Sequence, residues 1–576
     1  MRLTFVVLGV FFGLACFVQT SSGNTTKSVQ VNRNQAVVWT TDSVTKVQRL
    51  KIPPREAIPV TLEAARNEVQ SFQIVVSALA DLQDVYATVD NFKSGNGGGI
   101  PASAVTFYRV HYVDCKTLGY LPDSLVPFVD PNSHKRIGGT FGAPFTVKAG
   151  ENASIWVEVA VPTKATPGLY KTTVHLTVAS KTLASVPVSL KVYNVTMPGK
   201  STLLTYMELS TDLENHAYLQ SLHKHRMDIW NFNMKTPDHQ CIITDGKVQM
   251  IWNSALDKLI DSYFDGTFFP DGIPGKSYLL RRSGAWKEKE PLAGEDDNVR
   301  IQILQAYEEH YKHKPYCSKL AWFFIDEPGS GTLRRCQKIG AQIKKYNPSI
   351  RFLLTTRFNS DVQAAIDIWD AIINREVIDW DSPGPDAYRA EIARGKTVLS
   401  CVTVNCNVPT SPNVFIQYPG MNTRIWPWVS FTLDQNGIEY WDTKPAPSVT
   451  MPKVFGDSAW GDGSLFYRGL PAELGIKAEI PLPSIRLKIL RDGIQDHELL
   501  SMLKKKNPSL AKTLCHKMVQ ETHDYDKSFL QGVQHESWNW NTDGKGDRKV
   551  PGFIVWESSP KGLAAARSSI LKALSQ

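Results

Sequence analysis

The sequence predicts a multidomain protein in which an N-terminal all-β sandwich is followed by an α/β domain of the (β/α)8 TIM-barrel type and then by C-terminal helices. Three observations carry this expectation. Residues 28 to about 198 hold short alternating runs of apolar and polar residues broken by turn residues, the pattern of a sandwich. After Met197-Pro198-Gly199 strand-like runs alternate with helical stretches, which signals a parallel sheet. The chain's 576 residues, 42% of them hydrophobic, exceed one ordinary domain and can fill large cores. The expected division is a signal peptide at 1–23, the sandwich at 24–198, the barrel at 199–505 and a helical extension at 506–576.

Taken in order, Met1 to Gly23 has one positive charge at Arg2, an apolar run from Leu3 to Val18 and a small or polar end at Thr20-Ser21-Ser22-Gly23. That reads as a secretory signal peptide, and no other stretch is long and apolar enough to span a bilayer. Glycosylation sequons at Asn24, Asn152 and Asn194 agree with secretion, or with delivery to a lysosome-like compartment. Seven cysteines remain after Cys16, an odd number, and for a chain of this size disulfides are optional. The net charge of +8 is spread without a basic block, so nucleic acid is not an expected partner.

In the sandwich, Val60 to Ala64 and Ser71 to Val76 read as strands around a bend at Arg66-Asn67-Glu68. Ser154 to Val159 and Thr172 to Val178 alternate cleanly across a turn at Pro167-Gly168, and Val186 to Val192 closes the series. The Gly95–Gly99 run is a hairpin tip without the strand-then-helix setting of a phosphate loop.

Eight barrel strands are expected at Leu203 to Leu209, Met227 to Phe232, Thr267 to Gly272, Leu320 to Asp326, Phe352 to Thr356, Ala365 to Ile368, Thr397 to Val402 and Gly437 to Trp441. Helices are expected at 254 to 264, 297 to 313, 332 to 346, 384 to 394 and Ser484 to Lys505, with two more near 508 to 525 and 560 to 575. The Trp538-Asn539-Trp540-Asn541 loop between these last two has no evident assignment.

The fourth expected strand holds the centre of interest. An apolar aromatic run, Ala321 to Ile325, ends abruptly in Asp326-Glu327-Pro328-Gly329. Consecutive strand side chains point to opposite faces, so both acids serve one site only where the strand stops and the backbone bends, and Pro328 marks that stop. Barrel active sites lie at the carboxyl ends of the strands. Polar and aromatic residues gather at such ends: Arg357, Trp369, Tyr440, Trp441, and the loop Trp460-Gly461-Asp462-Gly463. Aromatic faces stack on sugar rings and carboxylates bind hydroxyls, so these residues are candidate substrate contacts.

Other chemistries have less support. His223 with His225 and His310 with His313 have metal-like spacing, but no H-E-x-x-H signature accompanies them, and they read as solvated or packing histidines. There is no serine-hydrolase elbow and no dinucleotide fingerprint.

The order of Arg66-Asn67-Glu68 with Phe72-Gln73, then Asp326-Glu327-Pro328, Gly461-Asp462-Gly463, and Ser484-Ile485-Arg486-Leu487 with Leu490-Arg491-Asp492-Gly493-Ile494-Gln495-Asp496 resembles glycoside hydrolase family 123 from about residue 30 to 505. The resemblance implies a retaining, substrate-assisted β-N-acetylgalactosaminidase. Glu327 would be the general acid and then the base, and Asp326 would hold the 2-acetamido N–H and stabilise the oxazolinium intermediate. No cofactor or metal is implied. The implied partner is a glycan ending in N-acetylgalactosamine, on a glycolipid, a glycoprotein or a free oligosaccharide. Two other readings stand beside this one: a carbohydrate-binding protein that has lost activity, and a retaining glycosidase with a protein nucleophile such as Glu208.

Overall fold

The computed structural model describes residues 30–31, 35–50, 52–53, 59–210, 216–232, 238–282, 292, 294–323, 325–373, 384–404, 406, 411–452, 459–522 and 553–576. The expected signal peptide, the Asn24 sequon and the Trp538–Asn541 loop lie outside them.

The first part is a β-sandwich. A five-stranded sheet, in the order Ala36–Asp42, Val69–Ala78, Asn152–Ala160, Val105–Asp114, Tyr120–Pro127, packs on an eight-stranded sheet built around Gly168–Val178 and Lys181–Thr196. Alternation in the sequence decides the inner faces. Phe72, Ile74 and Val76 from one sheet and Val174, Leu176, Val188 and Leu190 from the other share one core.

The bend expected at Arg66–Glu68 is present, with Asn67 in the left-handed region at φ 61. Glu68 is buried, accepts the Ala65 N–H at 2.8 Å and pairs with Arg567 of the last helix. The motif therefore ties the sandwich to the C-terminus. Asn152 corrects one glycosylation expectation: it is 5% exposed, accepts from the Ser77 hydroxyl and donates to Gln48 O at 2.9 Å. Its amide nitrogen is held inside the fold and is not presented for a glycan. Asn194 is exposed.

The second part is a curled sheet of seven parallel strands, in the order Leu204–Met207, Gly437–Tyr440, Thr397–Cys401, Ile368–Ile372, Arg351–Thr355, Leu320–Phe323, Tyr278–Arg282. Residues 228–230 bridge its two edges, since Trp230 N–H donates to Met207 O at 2.9 Å and Leu279 N–H donates to Trp230 O at 2.8 Å. The expected second strand, Met227 to Phe232, is thus reduced to a single bridge at Ile229.

Two other strand expectations need correction. Thr267 to Gly272 is a turn that follows the helix Ser254–Asp265, because Gly266 and Gly272 take φ 89 and 71 and the Asp265 carboxylate accepts from Thr267 N–H. Phe268 and Phe269 are buried from that turn, which is why the segment looked like a strand. The sixth strand runs from Ile368 to Ile372 rather than from 365 to 368.

The helices Ser254–Asp265, Asp297–Tyr311, Ser330–Tyr346, Pro385–Ala393, Ile485–Lys506, Pro508–Met518 and Pro560–Ser575 fall close to their expected places. The C-terminal region also holds an antiparallel strand pair, Val519–Thr522 with Phe553–Trp556. Among the described residues no helix is long and apolar enough to cross a membrane.

The helix Ile485–Lys506 is buried over most of its length and joins the two parts through paired charges. Arg486 grips both oxygens of Asp123 from the sandwich, at 2.9 and 2.8 Å, and also donates to the carbonyls of Val414, Gly461 and Ser464. Lys488 and Arg491 meet Glu158 of the sandwich, and Asp496 meets Arg424 and Arg567. Buried charges persist only when paired and hydrogen-bonded, and these are. The long helix that carries the Arg-Asp-Gly motif therefore fastens the two parts together. The seven described cysteines form no disulfide with one another.

Candidate active site

The interior of the curled sheet is organised by strand alternation. Its lower layer is apolar: Tyr206, Trp230, Leu279, Ala321, Phe323, Leu353, Ile368 and Leu399 form one cluster. Side chains recur on one face every second residue, so the next interior position on five strands lies toward their carboxyl ends. Those positions are Glu208, Thr355, Asp370, Cys401 and Glu439. A polar layer therefore caps the apolar one.

Asp326 and Glu327 stand at the same end, just after Leu320–Phe323. Asp326 is half-buried and Glu327 is exposed. The Thr355 hydroxyl donates to Asp326 Oδ1 at 2.8 Å and accepts the Glu327 backbone N–H at 2.8 Å. Glu327 has φ 41, a left-handed conformation that costs energy for a residue with a side chain. That turn lets two consecutive acids face one site, as the abrupt end of the strand predicts.

The floor beneath them is acidic. Asp370 and Glu439 are almost wholly buried, and with Cys401 they place one oxygen or sulfur each within 4.8 Å of one another. Burial, then the charges of Asp326 and Glu327, hold the Asp370 carboxyl well above the usual carboxylate range. Burial and then Asp370 do the same to Glu439, and burial and then Glu439 raise the Cys401 thiol. Burial thus disfavours the ionised form of both acids beneath Asp326 and Glu327. Neither Asp370 nor Glu439 stood among the expected site residues. The signal was present in Ile368-x-Asp370, Leu399-x-Cys401 and Gly437-x-Glu439, an apolar interior residue followed two positions later by a polar one.

Several expected substrate contacts are elsewhere. Trp369 is fully buried on the outer face of its strand, where its indole N–H donates to Glu391 Oε2 at 2.9 Å. Tyr440 also faces outward, toward Trp426, and its hydroxyl donates to Asp462 Oδ1 at 3.1 Å and accepts from Gly463 N–H. Asp462 is itself buried and accepts from the Trp441 indole at 3.1 Å, so it shapes the loop after the last strand rather than meeting sugar. Trp460 is buried among Val113, Cys115 and Val126 at the sandwich. Arg357 is exposed and Trp441 partly so, both just beyond strands.

The histidines are structural, as expected. His223 stacks on Phe269 at 3.6 Å, and His225 is buried with Nδ1 against Ser221 O. His310 stacks on Trp252 at 3.8 Å and meets Asp257, which also lies 3.4 Å from His239. Asn253 N–H donates to His239 Nδ1, so the neutral ring carries its proton on Nε2, the nitrogen turned to Asp257 and Tyr311. His239, Asp257 and His310 bring one donor atom each within 4.8 Å of one another and form a hydrogen-bonded hub with Tyr311.

Residues 51–178 match the profile of the glycoside hydrolase 123 N-terminal domain, and residues 278–503 match that of the glycoside hydrolase 123 catalytic domain. Together the two matches span more than half of the chain. A family 123 glycoside hydrolase from Clostridium perfringens, described in connection with glycolipid glycan hydrolysis, aligns at a TM-score of 0.63 with 14% identity, over 94% of this chain and 97% of its own. At that identity the likeness is one of fold. A family 39 glycoside hydrolase from Bacteroides cellulosilyticus WH2 aligns at only 0.32, with 9% identity over 71% of this chain and 80% of its own, too weakly to bear on the fold. No curated protein matches the chain.

Proposed function

We propose, for a chain that belongs to glycoside hydrolase family 123 and is a glycosidase, that it releases terminal β-linked N-acetylgalactosamine with retention, by substrate assistance. The observation that carries this reading is the acid pair bridged by Thr355 at the mouth of the curled sheet. Glu327, exposed at the rim, has the position of a proton donor, and Asp326, half-buried and held by Thr355, that of a group which orients the acetamido. With the two acids so engaged, the substrate's own acetamido oxygen supplies the nucleophile. The buried carboxyls below are poor alternatives, since burial holds Asp370 and Glu439 well above the usual carboxylate range and so disfavours the ionised form that a nucleophile needs.

Glu327, exposed at the rim, protonates the glycosidic oxygen as the acetamido oxygen closes on C1. Asp326 accepts the acetamido N–H and stabilises the positive charge of the oxazolinium as it forms. Water then attacks C1, Glu327 takes its proton, and the sugar leaves with its configuration retained. Thr355 keeps the Asp326 carboxylate oriented throughout.

The relative described in terms of glycolipid glycans favours a glycolipid headgroup as the natural substrate, with glycoprotein and free oligosaccharide glycans as further candidates. The sequence features of the first 23 residues favour secretion, or a lysosome-like destination. A panel of aryl β-glycosides tests the activity. Hydrolysis confined to 2-acetamido sugars supports the reading, hydrolysis of plain galactosides points to a protein nucleophile, and binding without turnover marks an inactive carbohydrate-binding protein.

A further inference from the structure

The mechanism uses Asp326, Glu327 and Thr355 and leaves the floor of the site without a task. Asp370 lies there, 1% exposed, and neither of its carboxyl oxygens has a hydrogen-bond partner among the described residues. A buried polar group without a partner is expensive and calls for an explanation. Strand alternation gives its direction: Trp369 and Ala371 face outward into the large core, and Ile368 faces the apolar interior cluster. Asp370 therefore projects inward one layer above Ile368, toward the reactive acids, whose charges reach it. Its backbone is held on both sides, paired with Thr355 on one strand and Leu399 on the other. Cys401 and Glu439 flank the carboxyl.

A group so placed is built to be completed by a ligand with hydroxyls, because a sugar hydroxyl both donates and accepts, and a carboxyl can take one on each oxygen. We propose that Asp370 receives one or two ring hydroxyls of the terminal sugar and is a specificity-determining residue of this site, with Glu439 and Cys401 positioning it. The assignment rests on the glycosidase reading above. It also gives the unpartnered acid a use: sites that hydrogen-bond a substrate hydroxyl reject analogues lacking it, because their own buried polar groups are then left unpaired. A cation held by Asp370, Glu439 and Cys401 is the competing occupant of the same donors.

The test compares wild type with Asp370→Asn, in the full chain, on an aryl β-N-acetylgalactosaminide and its 3-, 4- and 6-deoxy analogues. On the parent glycoside kcat/KM is expected to fall about 10- to 100-fold, the loss that goes with one impaired buried hydrogen bond. On the analogue that already lacks the contacted hydroxyl, variant and wild type should agree within about threefold. The melting temperature should stay close to that of wild type, since Asn keeps the shape and puts one buried polar group in place of another. An equal loss on every analogue, or no loss on the parent, overturns the proposal. So does a stoichiometric metal ion found by elemental analysis in wild type and absent from Asp370→Asn, which would assign the donors to a cation. If neither Asp370→Asn nor Asp370→Ala folds, the carboxyl is structural and the proposal fails. The wild-type rate on the parent reports separately on the glycosidase reading: no turnover of any 2-acetamido glycoside overturns that reading, whereas turnover with a flat deoxy pattern overturns the Asp370 assignment alone.

Discussion

One hydroxyl joins the two acids of the site: Thr355 Oγ1 donates to Asp326 Oδ1 at 2.8 Å and accepts the backbone N–H of Glu327 at 2.8 Å. It orients one carboxylate and pins the left-handed turn that aims the other. Thr355→Val keeps the shape and removes both bonds. It should lower kcat by about tenfold or more with little change in KM, the loss expected for one or two hydrogen bonds that matter in the transition state. Thr355→Ser should restore most of the rate. Steady-state kinetics on an aryl 2-acetamido glycoside checks both, and a native kcat in Thr355→Val would contradict the bridging role.

Glu327→Gln removes the proton donor. Turnover of glycosides with poor leaving groups should nearly vanish, while activated aryl glycosides, which need less protonation, should be relatively spared. A series of leaving groups of graded acidity reads this directly. Equal losses across the series would remove Glu327 from the role of acid.

The Asp123 to Arg486 pair is fully buried and joins the sandwich to the long helix. Asp123→Ala leaves an uncompensated buried guanidinium, so unfolding free energy should drop by about 3–5 kcal/mol. Denaturant unfolding measures it. A change under about 1 kcal/mol would show that the pair is replaceable.

Stability should also fall in acid. Burial, then Arg109, pulls His111 from the ordinary 6.5 to about 3, and burial, then Lys276, pulls His497 down to about 3. Both are neutral in the fold, where His111 donates to Phe141 O and His497 pairs with Ser501. The unfolded chain binds the extra protons first. Each histidine therefore costs nothing above pH 6.5 and removes up to about 1.4 kcal/mol per pH unit as pH falls from there toward 3. Unfolding measured from pH 7 to 4.5 should show this slope, and His497→Gln should flatten it. A fold equally stable at pH 4.5 would contradict the burial argument.

Much of this arrangement was legible in the residues, and the failures have physical causes. The run Ala321 to Ile325 reads as a buried strand, and its abrupt end in two acids marks the strand terminus after which Asp326 and Glu327 stand. Glycine geometry defeated the reading of Thr267 to Gly272, where buried aromatics sit on a turn. Trp369 failed by register: read as the residue after a strand, it is inside one, and its neighbour Asp370 occupies the inward position. Tyr440 failed for the same reason, with Glu439 inward. Aromatic character drew attention to the outer face, whereas the alternation of apolar and acidic residues marked the inner one. The long-range pairings of Arg486 with Asp123 and of Arg567 with Glu68 have no local signature, since each joins residues far apart in the chain.

The central claim is that the substrate's own acetamido group is the nucleophile. The measurement that tests it most directly is kcat/KM of the wild-type protein on aryl β-N-acetylgalactosaminides whose acetyl group carries zero, one, two or three fluorines, with the matching plain β-galactoside as reference. Fluorine withdraws electrons from the attacking oxygen, so substrate assistance predicts a steep, progressive fall across the series and no turnover of the plain galactoside. A rate independent of fluorine number, or ready hydrolysis of the plain galactoside, would contradict it and return the nucleophile to a protein carboxylate.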